Sequence, residues 1–353
     1  MKRFGNIFEE ICSLENIERA HYNARKGKAH YQEVKRVNAN PEKYFLKIHD
    51  MLVSKAFRTG KYKEFVKTDT GKLRLISKLP YFPDRIVHHC IVQVLEPIWY
   101  KTLIRDTYAC IPGRGIHDGA DRIRKALRDI PGTRYCLKMD VKQFYPSMDH
   151  DILKSVIRKR IKDPDALELL DEIIDSTEKG VPIGNYLSQH FGNLYLSGYD
   201  HWMKEDNRCR YYFRYCDDIV ILGATKKWLH ALKEKTRHFW SERLRLALKG
   251  NWQVFPVDSR GVDYLGYRFF HGYTLLRKST AKQFKRKVAR IKQGWQNMRP
   301  ITVLSTIMSY EGWLRHANCL NLKKAVIDDE VKQIVADIVA VNETKNPLRR
   351  CVL

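Results

Sequence analysis

Acidic residues are scarce in this 353-residue chain: 40 Asp and Glu face 65 Lys and Arg, a formal net charge of +25. That imbalance excludes an acid-rich, self-solvating chain and predicts a polyanionic partner, nucleic acid before any other. The eight cysteines include no CxxC pair, so neither a zinc module nor a disulfide framework is read and reduced thiols are expected. His88-His89-Cys90 and the pair His316, Cys319 lack a second half at zinc spacing and read as ordinary helix positions. Long apolar runs are missing too. The N-terminal Met1-Lys2-Arg3-Phe4-Gly5-Asn6 has no signal-peptide core, so a cytoplasmic protein without a membrane partner is expected. No internal repeat or low-complexity linker interrupts a length that can hold two or three units sharing extended cores.

Residues 1–60 read as helical, with Pro41 opening a helix that carries Tyr44, Phe45, Ile48, Met51 and Leu52 on one face. From 62 to 79, β-type residues alternate with cations around a Thr70-Gly71 turn. This predicts a basic hairpin in which Lys72 and Arg74 either form a solvated edge or meet phosphates. A helix over 84–95 is interrupted at Pro97, and a Gly113-Arg114-Gly115 loop opens another near His117. Helices are predicted over 149–162, from Pro164 to about 177, and over 226–243. The loop 180–185 runs into a helix through Phe191, Leu194, Tyr195 and Tyr199, and its glycines permit close backbone approach to a ligand. A strand-turn-strand follows at 262–270.

Thr280 is expected to cap a helix to Met298 with Phe284, Val288, Ile291, Trp295 and Met298 on one face. Residues 277–299 contain no acid at all. A solvated helix normally mixes signs, whereas the cations here, among them Lys282, Lys285, Arg286 and Arg290, suit a helix tracking a phosphate backbone. The tail from Val341 is expected to be loosely ordered.

Carboxylates are sparse but pointedly placed. Tyr215-Cys216-Asp217-Asp218 lies between the apolar runs 211–213 and 219–222, at the tip of a predicted hairpin. Asp-Asp in a turn can be purely conformational. A second strand, Tyr135 to Met139, delivers Asp140 to its C-terminal end, and two strands ending in acids can meet. Such a cluster suits phosphoryl transfer with two divalent ions roughly 3.5–4 Å apart. Magnesium, which prefers oxygen ligands and keeps waters, fits three Asp without a His/Cys cage, with Mn2+ a possible substitute. Asp140 and Asp217 are the expected direct ligands and Asp218 a secondary one.

The order of these motifs resembles a reverse transcriptase over nearly the whole chain. Residues 140–145 look like the first palm motif, 180–189 like the dNTP-binding motif, 215–218 like the YxDD box and 262–270 like the primer grip. The resemblance implies an α+β right-hand polymerase that makes cDNA on an RNA template. Its parts would be an N-terminal helical extension (1–60), fingers (61–134), a palm (135–272, with finger-side helices at about 150–178) and a helical basic thumb with a C-terminal tail (273–353). It further implies catalysis by Asp140, Asp217 and Asp218, with the Val141 backbone joining the metal ligands. Lys72, Arg74, Tyr145, Ile183, Gly184 and Gln189 would bind dNTP, Leu265, Gly266 and Tyr267 would grip the primer, and Lys282, Lys285, Arg286 and Arg290 would hold nucleic acid. Template RNA, the RNA/cDNA duplex and dNTPs are the implied partners.

Most members of that superfamily carry Gln before the Gly of the dNTP motif and end it in Ser-Pro. Here the residues are Ile183-Gly184 and Ser188-Gln189, which looks like the enzymes of bacterial and phage diversity-generating retroelements. That likeness implies errors at template adenines and a small, basic, oligomeric accessory variability protein. Group II intron proteins usually have a longer C-terminal region than the roughly 80 residues that follow the grip here. An antiviral, abortive-infection polymerase is the alternative, and a catalytically idle RNA-binding scaffold the alternative of another class. Tyr145 stands where the resembled enzymes place a steric gate against ribose, or is a core aromatic. Cys216 falls where Met is frequent and carries no ligand role.

Overall fold

The computed structural model describes residues 2–69 and 72–345, except the side chains of 69, 72 and 341–345. The predicted Thr70-Gly71 turn and the tail beyond 345 lie outside them. Nine strands are described: β1 (Lys63–Asp69), β2 (Lys72–Lys78), β3 (Tyr135–Asp140), β4 (Tyr211–Tyr215), β5 (Asp218–Gly223), β6 (Gln253–Pro256), β7 (Val262–Tyr264), β8 (Tyr267–Phe269) and β9 (Thr274–Leu276). β1 and β2 form an antiparallel hairpin, β4-β5-β3-β6 a four-stranded sheet, and β7-β8-β9 a small antiparallel sheet. Among the described residues no helix is long and apolar enough to cross a membrane.

The chain divides into two units. The first comprises Met1–Gly115, Leu137–Ile221 and Lys227–Gln253. Its core buries Trp99, Tyr108, Tyr195, Tyr199, Tyr212 and Trp240 completely. Asp163 shows how local and distant sequence cooperate there. Its carboxylate caps the helix Pro164–Ile174 by accepting from Ala166 N, and also accepts from the Ile7 and Phe8 amides at 2.7 and 3.1 Å. The second unit comprises Ile116–Cys136, Leu222–Lys226 and Val254–Leu353. Its core centres on Tyr264, Tyr267, Phe269 and Phe284, the last stacked on Tyr310 at 4.5 Å.

Four expectations need correction. The helix Ile86–Tyr100 runs through Pro97. Proline costs an interior helix about 3 kcal/mol, but most residues of this helix are buried and tertiary packing outweighs the lost bond. Thr280 is not a cap, because the helix begins at Lys278. Its start is set from the neighbouring sheet: Arg277 N donates to Gly266 O at 2.9 Å and Arg277 Nε to Asp263 Oδ1 at 2.6 Å. The last helix, Asp329–Lys345, continues through 341–345, where a loose tail was expected. The helix after the glycine loop breaks at Leu196 into Tyr186–Tyr195 and Ser197–Lys204. Strands β6 and β9 were not anticipated, being only four and three residues long.

Candidate active site

β3 buries Cys136, Leu137 and Met139 and ends at Asp140. The β4–β5 hairpin turns at Cys216, whose φ of 56° is left-handed, and presents Asp217 and Asp218. The two strands bring Asp140 and Asp217 together. Burial first, then repulsion from Asp140 and a hydrogen bond to it, push the Asp217 carboxyl up to about 6. Lys138, two residues before Asp140 on β3, lies 3.4 Å from Asp218 Oδ2. Lys249 lies 2.5 Å from Asp140 Oδ2.

Val141 bridges to Leu248, and the two bonds flanking that bridge are Lys249 N to Asp140 O (3.0 Å) and Lys142 N to Ala247 O (2.9 Å). Neither uses the Val141 carbonyl. Two carboxyl groups held this close, the ionised form of one disfavoured by burial and by the other, are a donor set that a hard divalent cation would relieve. Among the described residues no group of three or more His, Cys, Asp or Glu is arranged to hold a metal ion. The fit rests on the Asp140–Asp217 pair.

Tyr145 is pinned from two sides. Its hydroxyl and the Cys216 thiol are 3.1 Å apart, and its carbonyl accepts from Val181 N at 2.9 Å. Gly180, at φ +66°, passes so near Pro146 that a Cβ would sit 2.5 Å from the Pro146 carbonyl oxygen. The same loop is stitched to β2: Ser77 N donates to Ile183 O at 2.8 Å, and a Cβ on Gly184 would meet Ser77 O at 2.9 Å. Gln189 is exposed, its Oε1 accepting from Cys110 Sγ at 2.9 Å. Arg74 is exposed on β2 opposite Lys67, and Lys72 opens that strand opposite Asp69. The Lys72 side chain lies outside the described residues.

The remaining predicted residues belong to the second unit. Leu265 (φ 51°) and Gly266 (φ 83°) make the β7–β8 turn, where a Cβ on Gly266 would meet the Trp313 ring at 2.5 Å. Tyr267 is wholly buried, its hydroxyl 3.1 Å from Trp313 O and 3.3 Å from His117 Nδ1. Lys282, Lys285, Arg286 and Arg290 are exposed on the helix Lys278–Gly294, whose Phe284, Val288 and Ile291 are buried.

Sequence reasoning missed Lys138, Lys249 and Arg214. The i, i+2 spacing to Asp140 was a signal for Lys138. Lys249, 109 positions beyond Asp140, gave none.

The family model for reverse transcriptase (RNA-dependent DNA polymerase) matches residues 65–269, more than half of the chain. Protein YkfC of Escherichia coli (strain K12) is 25% identical over 273 residues, covering 65% of this chain and 70% of its own. The group II intron-encoded protein LtrA of Lactococcus lactis subsp. cremoris is 25% identical over 144 residues, 38% of this chain, which spans only 23% of that relative. The solved telomerase from Candida albicans in complex with a TWJ fragment of telomeric RNA aligns at TM-score 0.51 and 11% identity, over 80% of this chain and 55% of that one. That likeness carries the fold alone: a sheet with surrounding helices in the fingers, palm and thumb plan. With a polymerase domain matched and intron maturases among its relatives, the protein is an enzyme rather than a scaffold. The chain belongs to the reverse transcriptase (RNA-dependent DNA polymerase) family, related to the group II intron maturases.

Proposed function

We propose that the chain makes cDNA on an RNA template, with Asp140, Asp217 and Asp218 as its catalytic acids. The observation that carries this reading is the Asp140–Asp217 pair, two carboxyls held together inside the family's matched region. Family membership implies a Mg2+-dependent mechanism in general, and Asp140 and Asp217, with the Val141 carbonyl, are the groups that would hold the metal. When bound, Mg2+ supplies Lewis-acid stabilisation of the attacking and leaving oxygens, and Mn2+ could replace it. Arg74 and Lys72 meet the triphosphate, Ile183, Gly184 and Gln189 line the nucleotide side, and Tyr145 stands under the sugar and excludes ribose. Leu265, Gly266 and Tyr267 form the primer grip, and the exposed cations of Lys278–Gly294 track the RNA/cDNA duplex. The proposed parts are the extension 1–60, fingers 61–134, palm 135–272 and thumb 273–353, in a cytoplasmic enzyme.

Primer extension on an RNA template with Mg2+ and dNTPs tests the reading. Asp217→Asn and Asp140→Asn are each expected to abolish incorporation while leaving RNA affinity largely intact. Robust polymerisation by either variant rejects the acid assignment.

The finer reading is mutagenic copying in a diversity-generating retroelement, with a small basic accessory variability protein as partner. It is supported by Ile183 standing where related polymerases carry Gln, an apolar group beside the nascent pair. A lost hydrogen bond there is worth about 0.5–1.5 kcal/mol, or about two- to tenfold in selection. Ile183→Gln should lower misincorporation opposite template adenine more than opposite other bases. Equal error spectra in sequenced cDNA would remove Ile183 from the argument. The likeness to LtrA favours an intron-type enzyme as the second reading. A template repeat differing from a neighbouring copy at adenines separates the two.

A further inference from the structure

Directly behind the acidic turn lies a charge that no step of the proposed reaction uses. Arg214 and Asp200 are both wholly buried. The Arg214 Nε donates to Asp200 Oδ1 at 2.8 Å and Nη2 to Asp200 Oδ2 at 2.6 Å, a two-pronged pairing that fixes the guanidinium plane. Asn193 accepts twice more, through Oδ1 from Nη1 and through its carbonyl from Nη2, each at 3.3 Å. Asp200 is itself oriented by the Tyr212 hydroxyl at 2.6 Å. Asn193 Nδ2 and Thr107 Oγ1 tie this cluster to the 107–109 segment, through Ala109 O and Asp200 Oδ2, and towards the acidic turn Nη1 donates to the carbonyl of Cys216 at 3.0 Å. Cys216 is the left-handed residue of the turn and immediately precedes Asp217. A left-handed non-glycine residue is unfavourable and persists only where its surroundings over-determine it. The Tyr145 hydroxyl holds the same residue from the other side, through its thiol.

We propose that Arg214 is the positioning residue of the acidic turn: clamped by Asp200 and Asn193, it holds the Cys216 carbonyl and so sets where the Asp217 carboxyl stands against Asp140. This rests on the reading of Asp217 as a catalytic acid. Asp200, Asn193 and Tyr212 act through Arg214 and touch no reacting atom. The arrangement explains why a full ion pair is kept where an apolar core would serve stability equally well. Its value lies in direction, since a planar fork with five donors can serve Asp200, Asn193 and a turn carbonyl at once.

Three variants test the proposal: Arg214→Lys, the pair Arg214→Gln with Asp200→Asn, and Asp217→Asn as reference. Lysine keeps the charge against Asp200 but cannot also span to the turn. The neutral pair leaves no unpaired buried charge, so it is expected to fold where Arg214→Gln alone would not. Each is assayed at a temperature where circular dichroism shows it folded. The readouts are single-nucleotide incorporation and Mn2+ binding followed by electron paramagnetic resonance without substrate. Arg214→Lys should lower kcat by about a hundredfold, the scale of a 1 Å misplacement, with KM for dNTP within about twofold. Its Mn2+ binding should weaken in parallel. The neutral pair should recover the melting temperature but neither kcat nor Mn2+ affinity.

Wild-type kcat and Mn2+ affinity in either folded variant overturns the proposal, as does recovery of both together with stability in the neutral pair. If Arg214→Lys does not fold, the neutral pair decides by the same readings. Asp217→Asn separates the two levels: if it polymerises normally the proposed function falls, and if it is inactive while Arg214→Lys is fully active only the role of Arg214 falls.

Discussion

The ammonium of Lys249 stands 2.5 Å from Oδ2 of Asp140, and the backbone amide of the same lysine donates to the Asp140 carbonyl at 3.0 Å. A cation on the carboxylate proposed to bind metal competes with that metal. Removing it in Lys249→Met should tighten Mn2+ binding. Both partners are partly exposed, so the pair is worth at most about 1 kcal/mol, or about fivefold in affinity. Electron paramagnetic resonance titration measures it, and weaker binding in the variant would show that Lys249 supports the acids instead.

Gly180 carries the backbone under Tyr145. Gly180→Ala places a methyl 2.5 Å from the Pro146 carbonyl oxygen at a φ of +66°, a strain of about 1–3 kcal/mol. A lowered melting temperature is expected, together with looser selection of dNTP over rNTP as Tyr145 shifts. Gly198→Ala, with open space around its Cβ, is the control. Equal melting temperatures and equal sugar selection in the two variants would reject the link.

Three buried imidazoles predict acid sensitivity. Burial holds His88 and His89 down at about 3 and His190 at about 4. In the unfolded chain they titrate near 6.5. Their contribution is therefore present above about pH 6.5 and is lost as pH falls towards the folded values, each group by up to about 1.4 kcal/mol per pH unit. Asp217, raised to about 6, works in the opposite sense together with the raised Asp84 and His201, while the lowered His21 and His117 add to the three buried imidazoles. Urea unfolding at pH 5.0 and 7.0 should find the protein less stable at pH 5.0, and His88→Gln should shrink the difference. A difference unaltered by that substitution would exclude His88 as a source.

The basic face of Lys278–Gly294 predicts a salt signature. Replacing Lys285, Arg286, Lys287 and Arg290 by Gln should weaken template-primer binding and reduce the slope of log K against log salt by about 0.7–0.9 for each phosphate no longer neutralised. An unchanged slope would place the duplex elsewhere.

Tyr145→Ala should admit rNTPs into the growing strand, because the ring proposed under the sugar is gone. Continued strict selection of dNTP in single-nucleotide assays would return Tyr145 to the role of a core aromatic held by Cys216.

What the amino-acid sequence determined by itself is the set of features written in neighbouring residues. The alternation of Tyr135 to Asp140, the apolar runs flanking Asp217-Asp218 and the 4, 3 spacing of Phe284, Val288 and Ile291 all use the periods of the backbone. Each appears as the predicted kind of element, with the acids at a strand end and a hairpin turn, although the helix of Phe284, Val288 and Ile291 ends at Gly294, short of the expected Trp295 and Met298. Tertiary structure decided whatever depends on residues distant in the chain. Lys249 reaches Asp140 across 109 positions, and Gly180 must be glycine because of Pro146. Pro97, itself exposed, stays inside a helix because packing buries most of that helix around it, and the helix at Lys278 starts where β-sheet residues hold Arg277 rather than at a capping Thr. Arg214 reads in sequence as one more cation among 65 in a basic chain, yet it is wholly buried behind the acids. Periodicity reports which face of an element is apolar, but the partner that satisfies a buried charge is chosen by the packing of other elements.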